Sequence, residues 1–367
     1  MAYLVLLALG ALDSAGYSII APVVPAIGDE TGAGPGLIGV LVATFAVGQM
    51  IGYPLAGRGL QRRHATFVLT AGLALVVAGD LGFVLGGGLG VYFPARLLQG
   101  IGAGLLWMGV AFAVLERYPG EEYRRLTGIL ASYSVGGIIG PAMGAVGGIR
   151  GPFLIHMTAV LIVTAALLLL PRPEKAVRFG SDRSVLRTPG FFLASVGVLL
   201  IAVSLGTFDG PLPLHFSDQL SQAQIAGLYV GAAVLAGGSA VVAGYVAPRA
   251  ALLSGAVLLP LGITLAGLST TAAVWILLSA VIGFGIGIGD AGALGVLLES
   301  IGTDKLVLAM VIWSQVWAVG YLAGPAVGGG LAEAFGFWAL GVVPALVAVA
   351  VFAAALRPAS HAPLASR

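Results

Sequence analysis

Asp13, Arg96, Asp209 and Asp290 each interrupt a long apolar run. An ionisable side chain at mid-bilayer costs at least about 2.5–3.5 kcal/mol on insertion scales, so each is a functional residue by expectation. Their chemistry is proton and cation exchange. A carboxyl group tuned by burial can take a proton when it faces one side of a membrane and release it on the other. Three carboxylates set against one guanidinium leave a formal charge of −2, which suits an organic cation and not an anion. Proton and cation then compete for the same carboxylates, and this couples their opposite movements. The four charges fall in apolar segments one, four, seven and ten, so they are expected to converge on one central cavity.

Other residues fit the same chemistry. Trp313, Trp317 and Tyr321 follow at four-residue steps and form one helical stripe. Tyr17 lies four residues after Asp13, on the same helical face. Aromatic faces beside a carboxylate suit an amine through cation–π attraction; ordinary packing would use the same stripe. Gln49 and Gln315 are polar groups in apolar runs, able to bond a substrate or a neighbouring helix.

Such residues need a membrane scaffold, and the composition supplies one. Of 367 residues, 59% are apolar and 9% charged, against roughly a quarter charged in a soluble domain. Mean hydropathy is +1.06. There are too few polar side chains to cover a water-facing exterior, which excludes soluble enzymes and nucleic-acid binders. The chain has no cysteine, so thiol chemistry, disulfides and Cys-based metal sites are excluded, and its four histidines form no metal-ligand pair. Neither lysine, Lys175 or Lys305, completes a phosphate-binding loop. No cofactor or metal is expected; the proton gradient is the driving force. No nucleophile–base pair can be assembled, so the chain is not an enzyme by expectation.

Segments of about 20 apolar residues separated by charge, Gly and Pro predict twelve transmembrane helices. They run approximately 3–26, 35–57, 65–88, 91–115, 125–147, 152–171, 190–213, 224–246, 250–269, 273–298, 306–331 and 337–357. The first has Asp13 at its centre and no basic leader, so it is read as a span and not as a signal peptide. With the N-terminus cytoplasmic, 15 of the 17 Lys and Arg fall in inner loops and the tail, and Arg150 alone in an outer one. Both termini are thus expected on the cytoplasmic side.

The longest polar stretch divides the chain into a first six-helix bundle (1–171), a cytoplasmic linker (172–189), a second bundle (190–357) and a tail (358–367). The halves repeat. Gly136-x-x-x-Gly140-Pro141-x-x-Gly144 returns as Gly320-x-x-x-Gly324-Pro325-x-x-Gly328, 184 positions on. Parallel halves of this kind rock about a site near the bilayer midplane. Both prolines are expected to kink their helices. The alternating glycines Gly283 to Gly289 sit in an apolar span with no strand before them, so they predict close helix packing and not a nucleotide loop. Asp29, Glu30, Asp80, Asp218, Glu333 and the acids beside Arg or Lys, such as Glu121, read as solvated caps or surface pairs. His156 reads as a hydrogen-bonded interior residue.

Taken together, these motifs resemble the major facilitator superfamily in its drug:proton antiporter branch, over nearly the whole chain. Arg96-Leu97-Leu98-Gln99-Gly100-Ile101-Gly102 is similar to the family's fourth-span signature, whose Arg is linked to proton coupling. The Gly136–Gly144 pattern is similar to its fifth-span antiporter motif. Gly57 and Arg62 resemble its cytoplasmic gating loop, although Gln61 and His64 replace the usual Asp and second Gly. Vesicular monoamine transporter-like proteins look most similar, through Leu12-Asp13 with Ala21-Pro22-Val23-Val24-Pro25, through Gly283–Asp290, and through Gly320-Tyr321 with Gly324-Pro325. Asp209 before Pro211-Leu212-Pro213 resembles their seventh-span acid. The resemblance implies substrate or proton roles for Asp13, Asp209 and Asp290. It departs where Phe45 and Ser314 stand at positions that carry a lysine and an acid in those proteins; Phe45 is therefore a cavity candidate.

The resulting expectation is an all-α membrane protein of the major facilitator fold, two six-helix halves around a central cavity. It would export lipophilic organic cations, amines or drugs in exchange for protons, as a monomer in a bacterial plasma membrane. Its partners would be a small cationic substrate, protons and the bilayer, with no nucleic acid. The alternative is proton-coupled transport of a neutral solute such as a sugar.

Overall fold

The computed structural model describes residues 1–62, 64–118, 121–170, 188–301 and 306–356, and among these all regular structure is helical. Lipid offers no partner to a backbone N–H or C=O, so helices that satisfy their own are the natural solution. Twelve are long and apolar enough to cross a membrane. They are α1 (Ala2–Thr31), α2 (Pro35–Leu60), α3 (Ala65–Leu85), α4 (Leu89–Arg117), α5 (Arg124–Gly144), α6 (Arg150–Leu168), α7 (Pro189–Phe216), α8 (Gln222–Ala243), α9 (Pro248–Leu268), α10 (Ala272–Ser300), α11 (Leu308–Phe335) and α12 (Phe337–Ala355). Each expected span is matched by one of them. Most of the 172–189 linker, the 358–367 tail and the side chain of Arg62 lie outside the described residues.

Local chemistry sets several boundaries. Pro35, Pro189 and Pro248 open their helices, where the missing N–H costs nothing. Thr188 accepts from the Phe191 amide, and Ser221 with Gln224 makes a reciprocal capping box at the start of α8. Pro141 lies in the last turn of α5, while α11 runs on past Pro325 to Phe335.

Buried apolar residues form three large clusters. One is built almost wholly from α1–α6, including Leu6, Leu69, Leu106 and Val160. A second comes almost wholly from α7–α12, including Leu200, Leu252, Trp275 and Leu297. The third joins Ile20, Phe45, Phe83 and Phe153 to Ala202 and Tyr321, and so bridges the first six spans to the last six.

Glycine lets the backbones meet. A Cβ on Gly136 would lie 2.1 Å from the Ala11 carbonyl oxygen, and one on Gly140 2.4 Å from that of Ala15. The repeated motif does the same job in the second half: at Gly324 a Cβ would lie 2.2 Å from the Val203 oxygen. The two copies thus press α5 on α1 and α11 on α7. In α10, Gly283 and Gly287 face α8, Gly285 faces α9, and Gly289 lies between Ile201 of α7 and Gly255 of α9, so alternate glycines serve different neighbours.

The two sets of six spans also touch across one membrane face, the face that carries residues 32–34 and 145–149. Gly39 of α2 faces the Pro325 carbonyl of α11, and Gly329 faces that of Pro35. Glu333 accepts from the Gly36 amide at 3.0 Å. Gln222 of α8 donates to the Gly144 and Gly148 carbonyls at 2.9 and 3.0 Å and accepts from the Gly148 amide at 2.8 Å.

Candidate functional site

Asp13 lies on α1 just before that helix is interrupted at Ile19. It is buried, and the Tyr133 hydroxyl of α5 donates to its Oδ2 at 2.6 Å. The glycine face of α5 brings Tyr133 this close. A narrow cavity among α1, α2, α3, α4 and α6 is lined by Asp13, Gly16, Phe45, Gln99 and His156, with apolar residues between them.

Arg96 of α4 is completely buried. Its Nη1 donates to the Gly16 carbonyl at 3.3 Å and to Gln99 Oε1 at 3.0 Å, and its Nη2 donates to the Tyr17 carbonyl at 3.3 Å. Its Cζ sits 4.3 Å from the centre of the Phe45 ring. Its Nε has no partner, and no carboxylate lies within ion-pair distance among the described residues. The guanidinium is held by carbonyls, an amide and a π face.

Gln99 passes the contact on. Its Nε2 donates to Asp80 Oδ1 at 2.7 Å, and Asp80 Oδ2 meets His156 Nδ1 at 2.7 Å. His156 Nε2 then meets the Leu12 carbonyl at 2.9 Å, one residue before Asp13. Asp80 corrects the sequence reading. It was expected as a solvated outer-end acid, yet it is fully buried, a little over one turn inside the end of α3. Its position near a helix end masks the direction it faces, which only the packing of α3 on α4 and α6 decides. His156 is the hydrogen-bonded interior residue that was expected, and Glu121 is an exposed pair as expected. There Arg124 and Arg125 bond the carboxylate and hold it below its usual range.

Asp209 closes the long helix of α7 at Gly210-Pro211 and is buried, with the Tyr321 hydroxyl donating to its Oδ2 at 3.3 Å. Tyr321 is stacked on Trp317 with centroids 5.1 Å apart, and Tyr17 sits 4.9 Å from Tyr321, 5.8 Å from Trp317 and 5.9 Å from Phe45. The Tyr17 hydroxyl is buried and makes no hydrogen bond. Trp317, Tyr321, Tyr17 and Phe45 therefore form one aromatic cluster spanning the two sets of helices. Trp313 leaves the stripe: its indole donates to the Ala194 carbonyl of α7 at 3.2 Å. Gln49 is buried with its Oε1 unpartnered. Trp107 of α4 donates to Ser314 Oγ at 3.0 Å, a contact between the halves that spacing did not reveal.

Asp290 stands apart. It is exposed in mid-helix and has no hydrogen-bond or ion-pair partner among the described residues. Asp13, Arg96, Asp209 and Asp290, which were expected to converge, thus do not form one cluster. Arg96 touches the carbonyl of Tyr17, whose ring packs on the Tyr321 that bonds Asp209, and on its other side reaches the Asp80–His156 pair through Gln99, while Asp290 is separate. Gly57 has open space around it. Sequence reasoning missed Tyr133, Asp80 and Gln99 as site residues. The one legible signal was Gln99, three residues after Arg96 and so on the same helical face.

The profile of the Major Facilitator Superfamily matches residues 6–305, most of the chain. The chain belongs to the Major Facilitator Superfamily. It is therefore a membrane transporter and not an enzyme. "Multidrug resistance protein 2" of Bacillus subtilis (strain 168) is 29% identical over 220 residues, 55% of each chain. "Quinolone resistance protein NorA" of Staphylococcus aureus (strain MSSA476) is 23% identical over 217 residues, 56% of each. The chain thus spans about half the length of the curated relatives it matches. Among solved structures, a bacterial homologue of the human lysosomal transporter Spinster, inward-facing and occupied, superposes with a TM-score of 0.78 at 15% identity, covering 96% of each chain. A D-xylose–proton symporter gives 0.73 at 15% identity, covering 95% of this chain and 96% of its own. These likenesses show the fold. The drug-efflux relatives agree with the branch read from the motifs; the vesicular amine likeness is a finer matter.

Proposed function

We propose that this transporter is a proton-coupled antiporter for lipophilic organic cations, amines or drugs. One observation carries the reading: among the described residues four intramembrane carboxylates, Asp13, Asp80, Asp209 and Asp290, accompany a single buried arginine that pairs with none of them. Asp13 and Asp209 each hold a tyrosine hydroxyl, which fits a group that trades a proton for a cation. Asp290 is open and unpartnered, which fits first contact with a charged substrate. The similarity to multidrug and quinolone resistance proteins supports the substrate class, as does the likeness of Asp13, Asp209 and Asp290 to the acids of vesicular amine transporters.

In this reading residues 1–171 and 190–357 rock as two bodies and the termini are cytoplasmic. The face closed by Gln222 and Glu333 is then the outer one, and the conformation is inward-facing. The test uses purified protein in liposomes with an inside-acid gradient, a panel of lipophilic amines and a trapped pH dye. Faster proton loss on adding a cation, absent in Asp290→Asn, is expected. A response to a neutral sugar and to no cation would overturn the proposal.

A further inference from the structure

We propose that Asp80 and His156 form a buried proton-holding pair, a second exchanging site coupled to Asp13 across the cavity that His156 and Asp13 both line. The proposal rests on the antiport reading for its place in the cycle, but its geometry stands alone. A backbone carbonyl only accepts, so His156 Nε2, 2.9 Å from the Leu12 oxygen, carries a proton. At Nδ1 the neighbour is Asp80 Oδ2 at 2.7 Å. That contact needs one more proton, whether it belongs to the ring or to the carboxyl. Asp80 Oδ1 is already satisfied by the Gln99 amide, so the extra proton sits between Nδ1 and Oδ2. With it the pair is neutral. Without it the pair carries −1, and a bond between two acceptors is left to open.

Burial makes this proton matter. Both side chains are shut off from solvent, and a buried pair of this kind is weak evidence of stabilisation, because desolvation offsets most of the attraction. Its surroundings are those of a coupled site. Asp13 of α1 shares the cavity with His156, and Tyr133 of α5 donates to Asp13. From α4, Arg96 reaches Asp80 through Gln99, and Tyr53 of α2 lies in the field of Asp13. Gly16 lets the imidazole lie against the α1 backbone: a Cβ there would lie 2.6 Å from His156 Cε1. A proton leaving the pair passes to Asp13 or to water in the cavity. The pair then gains one negative charge, close to a carboxylate and one side chain away from Arg96.

Asp80→Asn is the informative variant, since its amide can donate to Nδ1 while its oxygen accepts from Gln99. Every hydrogen bond is kept and the exchangeable proton is removed. Wild type and variant are compared for protons released per tetraphenylphosphonium bound in weakly buffered detergent solution. The expected result is about one proton fewer in the variant with the cation still bound. Equal counts would overturn the proposal and make the pair a brace. If the wild type binds no tetraphenylphosphonium, the antiport reading rests on the liposome panel alone, and the pair is decided by nitrogen NMR of labelled histidine, with His156 assigned through His156→Gln. A wild-type His156 signal that changes between acid and alkaline solution upholds the site, and a constant one overturns it.

Discussion

Tyr133 donates its hydroxyl to Asp13 at 2.6 Å, from the helix whose glycines press it onto α1. The packing motif and the acid belong to one device, because the hydrogen bond exists only while α5 lies this close. Tyr133→Phe keeps the ring edge-on to Trp107, whose centroid is 5.0 Å away, and removes only the donor. It is expected to slow cation-driven proton exchange about tenfold, equivalent to about 1.4 kcal/mol, with little change in thermal unfolding. Liposome exchange rates and a melting curve check both halves.

The glycine motif makes a stability prediction. A methyl on Gly140 would meet the Ala15 oxygen and the Ser18 hydroxyl, the latter at 2.2 Å. Gly140→Ala is expected to destabilise by about 1–3 kcal/mol, as overpacking does. Gly137→Ala, whose added atom would find only Ser14 Oγ at 4.0 Å, is the neutral control. Equal melting temperatures for the two would contradict the packing argument.

Asp290→Asn separates function from stability. The side chain is exposed and unpartnered, so unfolding is expected to change by no more than about 0.5 kcal/mol. Cation-stimulated proton exchange is expected to vanish. A strongly destabilised variant would mean that Asp290 has a structural partner.

At Arg96 the shape of the side chain is the issue. A guanidinium reaches two carbonyls and Gln99 while its Cζ sits over the Phe45 ring, and an ammonium cannot do all of this. Arg96→Lys, although it keeps the charge, is expected to cost about 2–3 kcal/mol through buried acceptors left unpaired. Chemical unfolding of the detergent-solubilised variant would show it.

The Gln222 clasp makes a conformational prediction. Three hydrogen bonds tie it to Gly144 and Gly148, and Gln222→Ala removes them all. At about 1 kcal/mol for a net hydrogen bond, the form open at this face should gain population by tenfold or more. The chain has no native cysteine, so Ile27→Cys, placed at a fully buried position near this face, reports the opening cleanly. Its maleimide labelling is expected to speed up in the Gln222→Ala background.

The sequence by itself determined the twelve spans, the internal repeat and the presence of charge inside the membrane. Bilayer thickness dictates helix length, and a polar group in an apolar run is visible wherever the chain folds it. It also exposed the glycine faces, since only close backbones need them. It did not tell which charges meet. Asp80 lies 76 positions from His156 and 19 from Gln99, and its place near a helix end looks the same in sequence whether it faces solvent or core. The rotation of α3 against α4 and α6 turned it inward, and the break within α1 at Ile19 presented the Gly16 and Tyr17 carbonyls to Arg96. Trp313 and Trp317 share a helical stripe, yet one bonds α7 and the other joins the aromatic cluster. Periodicity within a helix is a local property, whereas partners are chosen by how helices dock, and only the tertiary structure decides that.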